Sequence, residues 1–310
     1  MSGFKTSAKR KRHHTAGNIL FSVINYTVFI ILTLICIYPF YYLFINTISA
    51  NDLSANGEIN FLPKAIHFRN YIDVLKIRGL ANSAFMSAAR TAVGTVCTVV
   101  ASAFLGFMFT QKDLWGRRFW YRFIVVTMYF NAGLIPVFIT YLNLGLRNTF
   151  WVYIIPVIVQ PFFIILAKTY IESVPSSMQE AAEIDGAGIL TIFFRIMLPV
   201  CTPIMATIAI FAAVNQWNSF QDVLLYITEE KLQPLQYTLY KYINQANSLA
   251  QIIRNSPNLT GAQIASLATR QNPTSVRMTV SVIVVLPILF VYPFFQRYFV
   301  KGIMIGSVKG

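Results

Sequence analysis

Long apolar runs recur along this 310-residue chain, and they limit most strongly how it can fold. Hydrophobic residues make up 56% of the sequence and charged residues only 12%, whereas charged residues form about a quarter of a typical soluble domain. A run of about 20 apolar residues is long enough to cross a bilayer as a helix. Strands with open edges would leave backbone groups unpaired in lipid. The composition therefore predicts an all-α membrane protein.

The apolar runs predict transmembrane helices over residues 20–47, 82–109, 120–142, 150–170, 198–219 and 277–299. The first run is longer than the roughly 7–15 apolar residues of a signal peptide, so we expect a retained helix. These runs divide the chain into a basic tail, a six-span transmembrane domain and a short C-terminal tail, which cover residues 1–18, 19–302 and 303–310. Two connections stand out within the domain, at residues 171–197 and 220–275.

Basic residues suggest how the chain is oriented. The formal net charge is +14, and Lys and Arg are concentrated in cytoplasmic loops of membrane proteins. If the N-terminus is cytoplasmic, the short connections that are richest in Lys and Arg share its side. We therefore expect a multi-pass plasma- or inner-membrane protein with both termini and segment 171–197 in the cytoplasm, and with segment 220–275 outside. The basic run Lys9–Arg12 is not followed by a basic face, which argues against nucleic-acid binding.

Segment 171–197 contains an acidic island. Between Glu172 and Asp185 the sequence has four acids and no base, although the whole chain has only 11 acids against 25 Lys and Arg. The patterns Ser176-x-x-Gln179 and Ser177-x-x-Glu180 are overlapping capping boxes and predict the start of a helix.

After this predicted helix, we expect Gly186 to end or bend it, because glycine adopts positive φ without strain. A second, apolar helix is predicted from Ile189 to Met197, leading through Leu198-Pro199 into the fifth span. A short acidic helix in which Ala181 and Ala182 add almost no bulk can insert into a tight cleft, which suits docking to a soluble partner. A solvated loop that merely joins two spans is the alternative, and the residue types alone leave both open.

Span two carries Gly94, Thr98, Ser102 and Gly106, four residues apart and therefore on one helical face. Such a stripe of small residues lets another helix backbone approach closely. We expect packing within this chain, with direct lining of a transport pathway as the alternative. Arg90, in the same span, is expected to snorkel or to pair with another group, with a role in gating as the alternative.

Polar side chains inside or at the ends of the other spans are candidates for contact with a transported molecule. Amides in a membrane need hydrogen-bond partners, which a substrate can supply. Hydrogen bonding between helices, and an interfacial position for the tryptophan, are the alternatives. The candidate pathway residues are Asn131, Gln160, Asn215, Trp217 and Asn218.

Chemistry-bearing motifs are lacking in the sequence. There is no G-x-x-x-x-G-K-[ST] phosphate loop, so we expect no ATP hydrolysis by this chain itself. Cys36, Cys97 and Cys201 all lie in apolar runs without metal-ligand spacing, and the histidines form no cluster with carboxylates. We therefore predict a transport protein that is not an enzyme and binds no cofactor or metal.

The acidic island resembles a known motif. Glu180-Ala181-Ala182-x-x-Asp185-Gly186-Ala187, followed by Ile196-x-Leu198-Pro199 and Pro203, is similar to the EAA motif in inner-membrane permeases of ABC importers. The sequences Asn131-Ala-Gly-Leu-Ile-Pro136 and Asn215-x-Trp217-Asn218 resemble the carbohydrate branch of those permeases. The ending after Val300 is similar to the complex-oligosaccharide subgroup, related to the maltose-type inner permease.

This resemblance implies a six-helix importer permease with a cytoplasmic EAA coupling loop, in which Glu180, Ala181, Ala182, Asp185, Gly186 and Ala187 couple to the ATPase. It also implies several partners: a second homologous permease as heterodimer partner, two ATPase subunits that carry ATP and Mg, an extracellular solute-binding protein, and a carbohydrate, which the subgroup implies to be an oligosaccharide. An ABC importer permease for a non-sugar solute such as a peptide shares the same loop and stays open. An ion-coupled secondary transporter would need an intramembrane Asp or Glu, and a membrane enzyme would need a catalytic cluster; the predicted spans contain neither.

Overall fold

The computed structural model describes residues 16–255 and 273–307, and all regular elements in those ranges are helical. This confirms the all-α class for the described part of the chain. The α-helices, numbered in order, are α1 Ala16–Thr47, α2 Asn51–Ala55, α3 Arg69–Leu75, α4 Leu80–Met108, α5 Arg117–Thr127, α6 Leu134–Asn143, α7 Pro161–Ile171, α8 Ser177–Ile184, α9 Ile189–Ile192, α10 Leu198–Val200, α11 Thr202–Asn218, α12 Gln221–Tyr226, α13 Leu235–Asn255 and α14 Pro273–Ser307. Short 3₁₀ helices span Phe150–Tyr153, Ile155–Val157 and Glu230–Leu232, and a π-helix spans Phe193–Met197.

Parts of three predicted segments fall outside the described residues. These are residues 1–15 of the basic tail, residues 256–272 of the 220–275 connection, and residues 308–310 of the C-terminal tail. The described part of the 220–275 connection is not an irregular loop, since it forms α12, a 3₁₀ turn, α13 and the start of α14.

Two helices in the described ranges, Gly17–Thr47 and Leu80–Met108, are long and apolar enough to cross a membrane unbroken. They match the first and second predicted spans closely. Two further apolar segments become long enough only if a bent pair of helices is counted as one span, which gives up to four spans by length and composition. The sequence predicts one transmembrane helix for each apolar run, whereas spans three, four and five are each divided into two helical pieces.

Span three is interrupted at its centre. Helices α5 and α6 are separated by residues 128–133, and Gly133 has φ 84° and ψ 170°, a conformation that is strained for any side chain with a Cβ. The Gly133 N–H donates to Oδ1 of Asn131 at 2.9 Å. This local turn replaces a helical hydrogen bond, so the helix stops there.

Prolines explain the bends in spans four and five. The 3₁₀ segment around Pro156 meets α7, which begins at Pro161, at 49°. The helical run Ile189–Val200 meets α11 at 81°, with Pro199 just before the bend and Pro203 just after it. Proline has no backbone N–H and clashes with the preceding turn, so each proline marks a place where a continuous helix is costly.

Helix α4 is the centre of the packing and contacts mainly α7 and α11. A Cβ placed on Gly106 would lie 2.8 Å from the Cβ of Ala167 on α7. A Cβ on Gly94 would lie 2.3 Å from the side-chain nitrogen of Gln216 on α11. The hydroxyl of Thr98 donates to the carbonyl oxygen of Val157 at 3.2 Å. The predicted close packing of this small-residue stripe within the chain is thus confirmed.

We predict that Gly106→Ala destabilises the fold, because its Cβ would press on backbone and Cβ atoms of α7 that have no rotamer to move into. Overpacking of this kind typically costs about 1–3 kcal/mol. Thermal unfolding of the purified protein in detergent measures the effect. Gly17→Ala is the matched control, because a Cβ at Gly17 meets nothing within 4 Å. Equal stability of both variants would contradict the close packing of α4 against α7.

Candidate coupling helix and polar cavity

The acidic island folds into a short helix, α8, as predicted, but it begins differently. Ser176 occupies the N-cap position with helical dihedral angles, φ −61° and ψ −26°, and makes no side-chain capping hydrogen bond. Instead, the backbone N–H groups of Gln179 and Glu180 both donate to the Ser176 carbonyl at 3.0 Å. The predicted capping boxes are therefore wrong, because Ser176 is already in the helical conformation, whereas a capping residue usually lies in the β region.

The end of α8 is a Schellman motif built on Gly186. The Ala187 N–H donates to the Ala182 carbonyl at 2.9 Å and the Gly186 N–H to the Glu183 carbonyl at 3.0 Å, the two bonds that define this motif. Gly186 has φ +78°. The expectation that Gly186 bends the chain at positive φ is confirmed. A Cβ at Gly186 would meet nothing within 4 Å, so only the backbone conformation demands glycine there.

The residues of the EAA pattern divide between the core and the surface. Ala182 is buried in a hydrophobic cluster with residues of α4, α7 and α11, and Ala187 packs against that cluster. Glu180, Ala181 and Asp185 are exposed. One side of α8 is therefore fixed to the core, while the other side exposes acids and a small side chain.

Apolar side chains extend the exposed side of this surface. Ile184 is 86% exposed, and Leu190, on α9, is 57% exposed. Ile184 lies between the exposed acids Glu183 and Asp185, and Leu190 follows Gly186 by four residues. A surface that combines carboxylates with exposed large apolar groups is typical of an interaction site rather than of a solvated loop.

Hydrogen bonds join α8 to the end of α4. The side-chain amide of Gln179 donates to Oε1 of Gln111 at 2.7 Å and to Oε1 of Glu183 at 2.8 Å. Gln111 is buried, and it follows α4 by three residues. At the entry to the acidic segment, Lys168 pairs with Glu172 at 2.6 Å. The acidic segment is thus held by an ion pair to α7 at its start and by a hydrogen bond from α8 to Gln111.

The connection from α8 to the fifth span is short and helical. After Gly186, α9, the π-helix and α10 run without a break from Ile189 to Val200, and α11 follows at 81°. Phe193 and Met197 of this run are buried in the same cluster as Ala182. The predicted apolar helix at Ile189–Met197 is confirmed, with a π-helical turn that sequence periodicity does not reveal.

A separate polar cavity of about 220 Å³ lies between α4, α7 and α11. Among the predicted pathway residues it brings together Gln160 and Asn215. Within the described ranges, neither of these side-chain amides makes a hydrogen bond to the chain. The remaining lining residues are Arg90, Thr98, Val157, Phe163, Ala212, Gln216, Ser219 and Asp222.

Arg90 is only 2% exposed and forms the most extensive polar network of this cavity. Its guanidinium donates to both carboxylate oxygens of Asp222, to the Gln216 side chain at 3.1 Å and to the Ser219 carbonyl at 3.2 Å. The guanidinium carbon lies 4.1 Å from the centre of the Tyr153 ring. The expectation that Arg90 pairs is confirmed, but sequence reasoning missed its partner. Asp222 is 132 positions away, and no local spacing signals such a contact.

The other predicted pathway residues lie elsewhere. Trp217 lines a different, apolar cavity and donates its indole N–H to the Val284 carbonyl of α14 at 3.0 Å. Asn131 is exposed in the turn between α5 and α6. Asn218 is exposed and does not line the polar cavity, although it shares a helical face with Asn215 by spacing. Their role in transport stays a prediction.

Comparison with known proteins adds three findings. The chain is 30% identical over 295 residues to the "Polygalacturonan/rhamnogalacturonan transport system permease protein YtcP" of Bacillus subtilis (strain 168), which covers 94% of this chain and 99% of that protein. It is 31% identical to "Protein LplC" of the same organism, over 96% of this chain and 98% of that one. Its fold matches a chain from the crystal structure of a bacterial ABC transporter involved in the import of the acidic polysaccharide alginate, with a TM-score of 0.81, 29% identity, and coverage of 93% of this chain and 100% of that chain.

The family model that describes the "Binding-protein-dependent transport system inner membrane component" matches residues 98–305. This range contains the acidic segment, α11 and the lining of the polar cavity from Thr98 onward. The match confirms the resemblance read from the sequence, and it identifies a multi-pass membrane component of a transport system rather than an enzyme. The chain therefore belongs to the binding-protein-dependent transport system inner membrane component family, as a permease subunit of an ABC importer.

Proposed function

We propose that this chain forms half of a carbohydrate import pathway and that α8 transmits the action of separate ATPase subunits to it. The observation that carries the proposal is the two-sided placement of α8. Ala182 is held in the core of α4, α7 and α11, while Glu180, Ala181 and Asp185 face outward. A partner bound to the exposed side of α8 can therefore displace the transmembrane helices directly, because no flexible loop lies between α8 and the core.

The carbohydrate part of the proposal is supported by similar proteins and by the cavity. Relatives include the polygalacturonan/rhamnogalacturonan permease and the "Arabinooligosaccharides transport system permease protein AraQ" of Bacillus subtilis (strain 168), which is 24% identical. The unbonded amides of Gln160 and Asn215 suit hydroxyl-rich ligands, because each amide offers both donors and an acceptor. We propose an oligosaccharide as the cargo.

We infer that a second, homologous permease completes the pathway and that two ATPase subunits bind the ATP and Mg. An extracellular solute-binding protein would deliver the sugar. In this arrangement the six apolar segments act as six spans, three of them broken, with both termini and α8 in the cytoplasm. The hydrogen bonds from α8 to Gln111 and from Asn82 to Lys231 support opposite sides for α8 and the 220–255 region, because they lie at opposite ends of α4.

We expect Glu180→Lys to lower both ATPase recruitment and sugar uptake at least tenfold, because it reverses a charge at the proposed docking surface. The measurement is co-purification of the ATPase with the permease pair, together with uptake of radiolabelled digalacturonate, arabinobiose, melibiose and lactose by cells that carry the complete transporter. Glu58→Lys is the matched control, since Glu58 is an exposed acid that precedes the N-terminus of α4, whereas α8 contacts the C-terminal end. Wild-type recruitment by the Glu180 variant would contradict the coupling role, and uptake of none of the sugars by the wild type would contradict the carbohydrate assignment.

A second prediction separates backbone conformation from bulk at the end of α8. Gly186 and Gly188 both leave open space for a Cβ, but only Gly186 has positive φ. We expect Gly186→Ala to weaken coupling, because the left-handed conformation costs a residue with a Cβ about 1–2 kcal/mol. Gly186→Asn should be milder, because asparagine tolerates this conformation, and Gly188→Ala should resemble the wild type. The measurement is the stimulation of ATPase activity by the sugar-loaded binding protein in each of the three variants. Equal losses of stimulation in Gly186→Ala and Gly188→Ala would refute the requirement for positive φ.

Topology is tested by cysteine labelling in a variant without the native Cys36, Cys97 and Cys201. Ala55 and Ala181 are both exposed, and each is changed singly to cysteine. A membrane-impermeant maleimide added to intact cells should label position 55 and not position 181, with both labelled after the cells are opened. Labelling of position 181 in intact cells would place α8 outside and would exclude its contact with a cytoplasmic ATPase.

A further inference from the structure

The polar cavity combines satisfied charges with unsatisfied amides. The Arg90 guanidinium donates four hydrogen bonds, to Asp222, Gln216 and the Ser219 carbonyl. In contrast, the side chains of Gln160 and Asn215 line the same space without a hydrogen bond to the described parts of the chain. Polar groups that line a cavity and remain free are available to a ligand, whereas the ion pair is already ordered before any ligand arrives.

The dimensions and the walls suit a single sugar ring. The cavity volume is about 220 Å³, which lies below the range of roughly 300–1,000 Å³ typical of pockets for whole drug-sized ligands. Phe163 and Ala212 supply apolar walls beside the two amides. An apolar wall with a few hydrogen-bonding groups matches the ring carbons and hydroxyls of a pyranose.

The ion pair determines the electrostatic character of this space. The Arg90 side chain is 2% exposed and the Asp222 side chain is 20% exposed. The two charges face each other in the part of the cavity lining that Arg90 and Asp222 form, here called the floor. The Val223 N–H donates a further hydrogen bond of 3.0 Å to the Asp222 carboxylate. With the pair intact the floor is balanced in charge. Removal of either partner would leave one uncompensated charge next to the amides.

We propose that this cavity is a single-ring sugar subsite in which Gln160 and Asn215 bind ring hydroxyls and the Arg90–Asp222 pair sets the preference between neutral and anionic rings. The subsite rests on the proposed function as a carbohydrate pathway. It adds Asp222 and Arg90 as specificity-determining residues, and it assigns no substrate contact to Trp217, whose indole N–H is already bonded to α14.

The first experiment tests the two amides. Gln160→Ala and Asn215→Ala should each lower uptake about threefold to tenfold, the loss expected for one or two neutral hydrogen bonds. Neither side chain supports the fold by a hydrogen bond, so ATPase co-purification should be unchanged. Asn143→Ala is the matched control, because Asn143 is an exposed amide at the end of α6, away from the cavity. Uptake at the wild-type rate in both test variants would overturn the subsite.

The second experiment tests the charge preference with the complete transporter reconstituted in proteoliposomes. The probes are digalacturonate, which is anionic, and melibiose, which is neutral, each supplied with a binding protein that accepts it. Asp222→Asn leaves Arg90 uncompensated and should shift the ratio of digalacturonate to melibiose transport about tenfold upward. Arg90→Gln leaves Asp222 uncompensated and should shift the same ratio about tenfold downward.

Matched variants keep this test decisive. Arg69 and Asp73 form an exposed ion pair at 3.5 Å, so Asp73→Asn should leave the transport ratio unchanged. The double variant Arg90→Gln/Asp222→Asn restores a neutral floor and should return the ratio to the wild-type value even if total transport falls. Equal loss for both probes in all three cavity variants would make the pair a structural element only and overturn the proposal. Transport of neither probe nor any other oligosaccharide by the wild type would instead refute the carbohydrate function itself.

Discussion

The close approach of α4 to α7 and α11 is the constraint on which both functional regions depend. At Gly106 the backbone of α7 comes within the space that any Cβ would need, and at Gly94 the Gln216 side chain does the same. Gln216 in turn bonds to Arg90, so the contact at Gly94 positions the floor of the polar cavity. The contact at Gly106 lies near the end of α4 that holds α8. One tightly packed helix therefore connects the cavity with the surface that we propose for the ATPase.

This arrangement gives a physical route for motion. Ala182, Phe193 and Met197 belong to one buried cluster with residues of α4, α7 and α11. Protein interiors are densely packed and transmit displacement with little compression. A shift of α8 would therefore move the foot of α11 rather than dissipate in a loop. The 81° bend before α11 then determines the direction in which α11 moves. A force along the run Ile189–Val200 acts nearly perpendicular to the axis of α11.

Local sequence patterns correctly predicted the features that depend only on residues close together in the sequence. The small-residue stripe of α4, the positive φ at Gly186 and the helix at Ile189–Met197 all follow from residue size and backbone freedom. Hydropathy located the apolar segments but could not predict their breaks, because it averages over Pro156, Pro161 and Gly133. The Arg90–Asp222 pair was inaccessible for another reason. It joins residues far apart in sequence, and they meet because α4 packs against α11, which leads directly into α12 and its Asp222.

Exposure in the isolated chain indicates where the pathway is incomplete. The apolar stretch Gly17–Thr47 has no buried residues in its most hydrophobic window, and Asn215 is exposed although it lines the polar cavity. Lipid can cover the apolar surface of α1, but lipid cannot satisfy a free amide. The Asn215 amide, near the end of α11, therefore needs a polar ligand, a polar neighbour or water. A second permease that closes the open side of the cavity would supply such a neighbour, and this chain would then be one wall of a shared pathway rather than the whole of it.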